Sequence, residues 1–430
     1  MDILNKCWFI TKTISRVSCE FAKYYFHGSR LQMLRNIAMS LGDNILYVKL
    51  FQSLVGGVDT LTQEEVNFFN SYTDNVPWSA DDENTDFRDI IHKVNQNLKP
   101  HDQIHNIGHT PYKSGTMSLV YEATDGQDKP VVVKVLRKNI AQRLEEAYND
   151  VAALISFIEY IPWYKNLNLS KILHTNKILL LRQTTLAIEA DNLITMKNNF
   201  KHVDTVVIPS IYKSYTDESD QILVMERLYG QHLLELSDNV CEIYARRIAT
   251  FTMKCLFFDG VYHADLHAGN IIFMTDQSHE PVHKIGIIDL GIIGNIPSNY
   301  QTGFIDFFKD AVIDKNYAKG ANIIIELFTI PNCSGRILTV SKTKIKEELT
   351  TVLDKIISNE QDIGHNEIAL LNTTLTKYGL QLNDVFLRGE LAIASAAGVA
   401  RILAKKAGRD YFSVLIEVVR DILEPFMFED

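Results

Sequence analysis

The stretch from Tyr262 to Asn295 holds the residues best suited to chemistry. It reads His263-Ala264-Asp265-Leu266-His267-Ala268-Gly269-Asn270, followed by apolar runs that end in Ile287-Ile288-Asp289-Leu290-Gly291. A carboxylate such as Asp265 can accept or orient the proton of an attacking hydroxyl or water. The amide oxygen of Asn270, five residues on, and the carboxylate of Asp289 are hard oxygen donors of the kind that hold magnesium. One proton-handling Asp together with two oxygen ligands for a divalent cation is the residue set that phosphoryl transfer needs. The rival reading is a zinc pair on His263 and His267, four residues apart. It lacks a Glu beside the first His, and Gly269-Asn270 ends any helix that could carry the pair.

The elements needed to position this set lie upstream. Ser118 to Ala123 and Val131 to Val135 are β-rich runs separated by Thr124-Asp125-Gly126-Gln127-Asp128, whose Asp-Gly marks a β-hairpin. Lys134 follows three valines in the second run, where a strand would hold a phosphate-anchoring lysine. Before the first run stands Ser114-Gly115-Thr116-Met117-Ser118, whose small residues let backbone N–H groups approach phosphates. The partner of Lys134 is open: a spacing of roughly 20 residues allows Glu145, Glu146 or Asp150, and Glu189 stands further along. Helical periodicity covers 140–160 and 186–200, Ile222 to Glu226 reads as another strand, and the chain is mainly helical from Ser237 onward. Residues 75–110, with the acidic run Asp81, Asp82, Glu83, Asp86 and the spaced His101, His105 and His109, read as an exposed polar connection.

At 430 residues, with 46% apolar and 22% charged side chains, the chain is an ordinary globular one of about three domains or one large two-lobed unit. A net charge of -10 opposes nucleic-acid binding, so no nucleic-acid partner is expected. The first 40 residues run the other way: Lys6, Lys12, Arg16, Lys23, Arg30 and Arg35 against Asp2 and Glu20 give +4. With Ile10, Ile14, Val17, Phe21, Tyr24 and Tyr25 at helical spacing, they describe an amphipathic helix for packing or for peripheral contact with an anionic membrane or lipid. Five scattered cysteines without a C-x-x-C pair point to a reducing, intracellular setting, cytoplasmic or mitochondrial. Asp2 and Glu20 fit a mitochondrial transit peptide poorly, and neither a secretory signal nor an apolar run of about 18 residues is expected.

The order of loop, lysine, strand, catalytic loop and metal loop resembles the kinase superfamily, with its HxDxxxxN and DFG motifs. Several segments are more similar to the UbiB/aarF/ADCK-like atypical kinases. Pro111 to Ala123 resembles the family's PIAAASIGQVYxA, Val133-Lys134-Val135 its VKV, and Leu223-Val224-Met225-Glu226 with Gly230 its LVMEyxxG. Ile288 to Gly294 resembles IDFGxxG, and Arg388 to Gly398 with Val399-Ala400-Arg401 its C-terminal motif. Leu41-Gly42 and Tyr47-Val48-Lys49-Leu50-Phe51-Gln52-Ser53 resemble the family's LG...KLGQxLS, so Lys49 and Gln52 stand as family-specific positions beside His263 and His267.

The resemblance implies an α+β, bilobal protein-kinase-like fold with a small β-rich N-lobe and a helical C-lobe. Its expected parts are a helical extension over 1–110, an N-lobe over 111–229 with a helical insertion at 140–180, and a C-lobe over 230–430. It implies an enzyme, an atypical kinase or ATPase that binds ATP and Mg2+, with a link to coenzyme Q or related lipid metabolism at a membrane. Asp265 becomes the catalytic carboxylate, Lys134 the phosphate anchor, Asn270 and Asp289 the metal ligands, and Gly115, Thr116, Met117 and Ser118 the phosphate loop. Backbone groups near Met225 and Glu226 would meet the adenine. Glu189, in Glu189-Ala190-Asp191-Asn192, matches the family's rEAxN and becomes the partner of Lys134. Three departures stand out: Phe51 replaces the glycine of KxGQ, Lys113-Ser114-Gly115 replaces an alanine-rich loop, and Gln183-Thr184-Thr185 replaces the carboxylates of ExD. A small-molecule kinase of the aminoglycoside or choline kinase type and a nucleotide-gated scaffold are the alternatives.

Overall fold

The computed structural model describes residues 3–42, 44–49, 62, 64–65, 68–69, 75–159, 173–174, 177, 181–276, 282–331, 342–358 and 365–424. Two compact units divide the chain. The first comprises Met1–Lys197, Pro209–Leu228 and Asp289–Ile292, and the second Asn198–Ile208, Tyr229–Ile288 and Ile293–Asp430.

The first unit begins with two helices, α1 (Ile3–His27) and α2 (Arg30–Leu41), joined at Gly28-Ser29, where the Ser29 hydroxyl accepts from the Gln32 amide to cap α2. A small core of Ala38, Tyr47 and Phe69 gathers Phe9, Leu34, Val151 and Leu154 around it. Next comes α3 (Phe87–Asn95), then β1 (Ile104–His105), β2 (Lys113–Ser114), β3 (Ser118–Asp125) and β4 (Pro130–Leu136). After α4 (Ile140–Ile158), α5 (Leu186–Asn199) and α6 (Lys213–Glu218), β5 (Ile222–Glu226) completes a five-stranded antiparallel sheet in the order β1-β3-β4-β5, with β2 also beside β3.

The hairpin turn forms where Asp-Gly predicts it. The Asp125 carboxylate accepts from the Gln127 and Lys129 amides at 2.8 and 2.9 Å and from the Tyr212 hydroxyl at 2.8 Å. Strand alternation then divides the sheet. Leu119, Tyr121, Ala123, Val131, Val133, Val135, Ile222 and Val224 share one core with Phe87, Ile91 and Val94 of α3 and Tyr215 of α6. The register aligns Val120, Lys134 and Leu223 in one row of the alternate set, and Glu122, Val132 and Met225 in the next.

The segment 75–110 is therefore not a polar connection. Phe87, Ile90, Ile91 and Val94 recur at helical spacing and close the sheet's apolar face, a pattern hidden among the charged residues around it. Asp82, from the acidic run, is buried and ion-paired to Arg137 at 3.0 Å and Arg143 at 2.5 Å. His101, His105 and His109 are exposed, and no group of three metal-binding side chains is found among the described residues.

The second unit is mainly helical. Helix α7 (Asp238–Lys254) runs into a π turn, Cys255–Asp259, and Gly260 then takes a left-handed φ of +63° that turns the chain into β6 (Val261–His263). Strands β7 (Ile271–Thr275) and β8 (His283–Ile287) form an antiparallel pair, with the short strand Val206–Val207 parallel to β8. β9 (Ile293–Asn295) pairs with β6, setting His263 opposite Ile293 and Tyr262 opposite Gly294. A Cβ at Gly294 would lie 2.1 Å from the Tyr262 ring, so this pairing needs glycine. Helices α8 (Ser298–Phe307), α9 (Tyr317–Leu327), α10 (Lys342–Ser358), α11 (His365–Thr376), α12 (Asp384–Lys406) and α13 (Tyr411–Leu423) follow. The small buried residues Ala392, Ala396, Ala400 and Ala404 lie on α12, which packs along α7, and Gly389 makes room for the Phe304 ring of α8.

Candidate active site

Lys134 is the centre of the first unit's polar chemistry. Its Nζ donates to both oxygens of Glu189, at 2.7 and 2.8 Å, and to Oδ2 of Asp289 at 2.8 Å. Lys134 and Glu189 are buried, whereas a third of the Asp289 side chain is exposed. Of the carboxylates that spacing allows, Glu145 and Glu146 are exposed and Asp150 half-buried on α4, and the lysine pairs instead with Glu189, in the first turn of α5.

Helix α5 also fixes the Asp289-Leu290-Gly291 segment. Asn192, three residues beyond Glu189 on the same helix face, donates to the Leu290 carbonyl at 2.8 Å, and the Leu290 amide donates to Glu189. The Gly291 amide donates to Asp289 Oδ1 at 3.0 Å. Asn192 belongs to the Glu-Ala-Asp-Asn run, but its part became visible only once its carbonyl partner was placed.

The charges explain one another. Burial depresses the Lys134 amine, but Asp289 and Glu189 outweigh it and hold the group above its ordinary value. Burial, then repulsion from Asp289, pushes Glu189 up to about 7 against the pull of Lys134. Both partners of one ion pair move upward because burial disfavours the Glu189 charge and a single positive charge is shared between two carboxylates.

In the phosphate-loop segment the Gly115 amide donates to the Ser118 carbonyl at 2.9 Å, closing a tight turn. Met117 and Ser118 are buried, and the buried Thr116 hydroxyl finds no hydrogen-bond partner among the described residues. On β5, Met225 is buried. The Glu226 amide donates to the Ser210 carbonyl, and its carboxylate Oε2 accepts from the Ser210 amide and hydroxyl.

In the second unit, the segment 263–270 is braced by its own residues. The Asp265 amide donates to His263 Nδ1 at 3.1 Å, and the Gly269 amide to His267 Nδ1 at 3.1 Å. Both imidazoles thus accept at Nδ1, and no group of three metal-binding side chains forms around them among the described residues. Asn270 donates from its side-chain amide to the Asp265 carbonyl at 2.9 Å, which leaves its oxygen as the atom suited to a cation. His263 is buried, and its carbonyl accepts from Ser395 of α12 at 2.9 Å.

Lys49 lies half-buried at the end of a short helical stretch, and Gln52 lies outside the described residues. At the position of the missing ExD motif, the Gln183 side chain comes near Gly291, and its buried oxygen finds no partner among the described residues. Arg137 and Asp82, which sequence reasoning left aside, are buried against the phosphate-loop segment.

The model of the ABC1 atypical kinase-like domain matches residues 78–324, more than half of the chain. The chain belongs to this family. Its fold is accordingly α+β, kinase-like and bilobal, with the sheet in one unit and most of the helices in the other. It is 28% identical over 224 residues to a probable protein kinase UbiB of Shewanella baltica (strain OS185), covering 50% of this chain and 40% of that protein. A protein of the same name from Shewanella sp. (strain MR-4) is 28% identical over 292 residues, 65% of this chain and 51% of its own length. The chain thus spans about half the length, or less, of these curated relatives.

Among solved structures, the complex of Rv3197 with erythromycin from Mycobacterium tuberculosis matches with a TM-score of 0.49 at 15% identity, over 86% of this chain and 94% of that one. The Rio2 kinase-ADP/Mg2+-phosphoaspartate complex from Chaetomium thermophilum gives 0.34 at 9% identity, over 83% and 98%. Among the described residues no helix is long and apolar enough to cross a membrane.

Proposed function

We propose that the protein is an atypical kinase or ATPase that binds ATP with Mg2+, and the observation that carries this reading is Lys134 shared between Glu189 and Asp289. Lys134 anchors the phosphates, and Glu189 orients it. Asp265 is the catalytic carboxylate, while Asn270 and Asp289 are the magnesium ligands that their motifs indicate. The donor sets suit these groups: hard oxygens for the cation, and in the phosphate loop a buried Thr116 hydroxyl that finds no partner among the described residues. Bound magnesium would neutralise charge on phosphate oxygens. The protein's own part is to hold the lysine, to fix the Asp289 segment on α5, and to brace Asp265 through His263 and Asn270.

A role in coenzyme Q or related lipid metabolism at a membrane belongs to the same proposal. Its support is the family membership together with Trp8, Phe21, Tyr25 and Phe26 exposed along the basic α1. We further propose that residues 1–110 act as the extension to the kinase-like parts at 111–229 and 230–430.

The test is phosphate release from magnesium-ATP by the purified protein. Lys134→Met and Asp289→Asn should each lower the rate by roughly 100-fold or more, the usual cost of removing a charge aimed at the reacting group. Unchanged release by both variants would sink the assignment. Release that requires an added alcohol would favour a small-molecule kinase, and tight ATP binding without turnover a scaffold.

A further inference from the structure

Arg137 follows the strand of Lys134 by three residues and is buried, with 4% of its surface exposed. A buried guanidinium needs its charge neutralised and its N–H groups satisfied. Asp82 supplies the charge at 3.0 Å. Burial raises the Asp82 carboxyl, but the Ser79 amide, Arg143 and Arg137 together outweigh it and hold Asp82 below its ordinary value.

The remaining donors go to the phosphate-loop segment. Nε and Nη2 donate to the Gly115 carbonyl at 3.1 and 2.9 Å, and Nη2 donates to the Ser114 hydroxyl at 2.8 Å. The Arg137 backbone amide donates to the Met117 carbonyl at 3.0 Å. The strap 76–82 joins the same knot. The Ser114 hydroxyl donates to the Val76 carbonyl at 2.7 Å, the Val76 amide to the Ser114 carbonyl at 2.9 Å, and the Lys138 amide to the Asp82 carbonyl at 2.9 Å.

We infer that Arg137, neutralised by Asp82, is a positioning residue that pins the Ser114 hydroxyl and the Gly115 and Met117 carbonyls, so that the loop is ordered before phosphate arrives. This inference rests on the nucleotide reading above. A loop with one glycine gains rigidity over a triple-glycine loop but needs something to select one conformation, and an ordered loop spares binding the entropy of ordering it. The planar fork of arginine spreads its N–H groups over three nitrogens and so spans a carbonyl, a hydroxyl and a carboxylate, whereas lysine must make every bond from one nitrogen.

The test compares full-length wild type with Arg137→Lys in three measurements: amide hydrogen exchange over 114–118, the affinity for magnesium-ATP and the affinity for adenosine. Losing charge-assisted bonds to the loop should speed exchange there and weaken ATP binding by about tenfold each, with adenosine affinity within about twofold. Unchanged exchange would overturn the inference, as would faster exchange with unchanged ATP affinity. An equal loss for ATP and adenosine would mean general damage and would overturn it too. If the wild type binds no ATP, the nucleotide reading fails, and the exchange rates still judge the clamp. Should Arg137→Lys not fold, Ser114→Ala removes the two hydroxyl bonds of the knot and is expected to act in the same direction by about threefold.

Discussion

The sharpest consequence of the shared lysine concerns Glu189→Gln. Raising a carboxyl from its ordinary 4.5 to about 7 disfavours the ionised form in the folded protein by about 3 kcal/mol, at roughly 1.36 kcal/mol per pH unit. Below pH 4.5 the group is protonated whether the chain is folded or unfolded, and its stabilising contribution is fully present. Between 4.5 and about 7 the unfolded chain ionises while the folded one does not, so that contribution is lost as pH rises; above about 7 the loss levels off. The glutamine side chain that replaces Glu189 does not titrate. The variant should therefore gain on the wild type by about 3 kcal/mol between pH 4.5 and 7.5, on top of a constant offset from the lost ion pair. Native-state hydrogen exchange at the Val133 and Val224 amides, in the core of the sheet, reads the stability of that unit without assuming that the whole chain unfolds at once. The measurement is made with chelator present, and taking the difference between the proteins cancels every other titrating group. A flat difference across the range would refute the shared-charge argument. A difference that falls with rising pH would mean that Lys134 holds Glu189 ionised by itself.

Other perturbations test neighbouring parts. In Asp289→Asn the repulsion on Glu189 disappears, so its carboxyl should fall toward the ordinary range and the same exchange experiment should show the pH-dependent window moved to lower pH. Asp125→Ala removes the acceptor of two turn amides and the Tyr212 hydroxyl; a loss of about 1–3 kcal/mol is expected in urea unfolding of the first unit, and no loss would show that the turn holds itself. Gly294→Ala drives a methyl into the buried Tyr262 ring, and a cost of about 1–3 kcal/mol in the second unit's stability should follow, with unaltered stability refuting the close approach. Ser395→Ala should speed hydrogen exchange in 263–270 while leaving the first unit's exchange unchanged, because its only described contact with that segment is the His263 carbonyl.

Local chemistry made much of the fold legible. Asp-Gly marked the hairpin, three valines before Lys134 marked its strand, and the alternation of Tyr121, Val133 and Val224 with Val120, Lys134 and Leu223 divided the sheet's two faces. The helix at Phe87–Asn95 was misread because charged residues crowd its start, although Phe87, Ile91 and Val94 carried the period throughout. Composition described the surface there, and period described the burial. For Glu189 the spacing rule alone points elsewhere, to Glu145, Glu146 or Asp150, since α4 stands between the strand and α5 and lengthens the count without changing the geometry. Arg137 and Asn192 were illegible for a different reason. Their partners are backbone carbonyls, at Gly115 and Leu290, and every residue has one, so no side-chain pattern announces the contact.

The same distinction explains how the first unit holds its polar centre. The Asp289 segment is fixed in part by a bond that does not depend on its charge: Asn192 grips the Leu290 carbonyl, while the Gly291 amide closes back on Asp289 Oδ1. Lys134, by contrast, is held by charge alone, divided between Glu189 and Asp289. With both carboxylates ionised this trio carries one net negative charge in a largely buried place, and Glu189 relieves it by tending to take a proton near neutral pH. Whatever neutralises Asp289 therefore returns the lysine's full charge to Glu189, lowers its carboxyl, and tightens the pair with Lys134. The backbone clamp keeps Asp289 in place while this happens, so the geometry stays constant and only the charge moves.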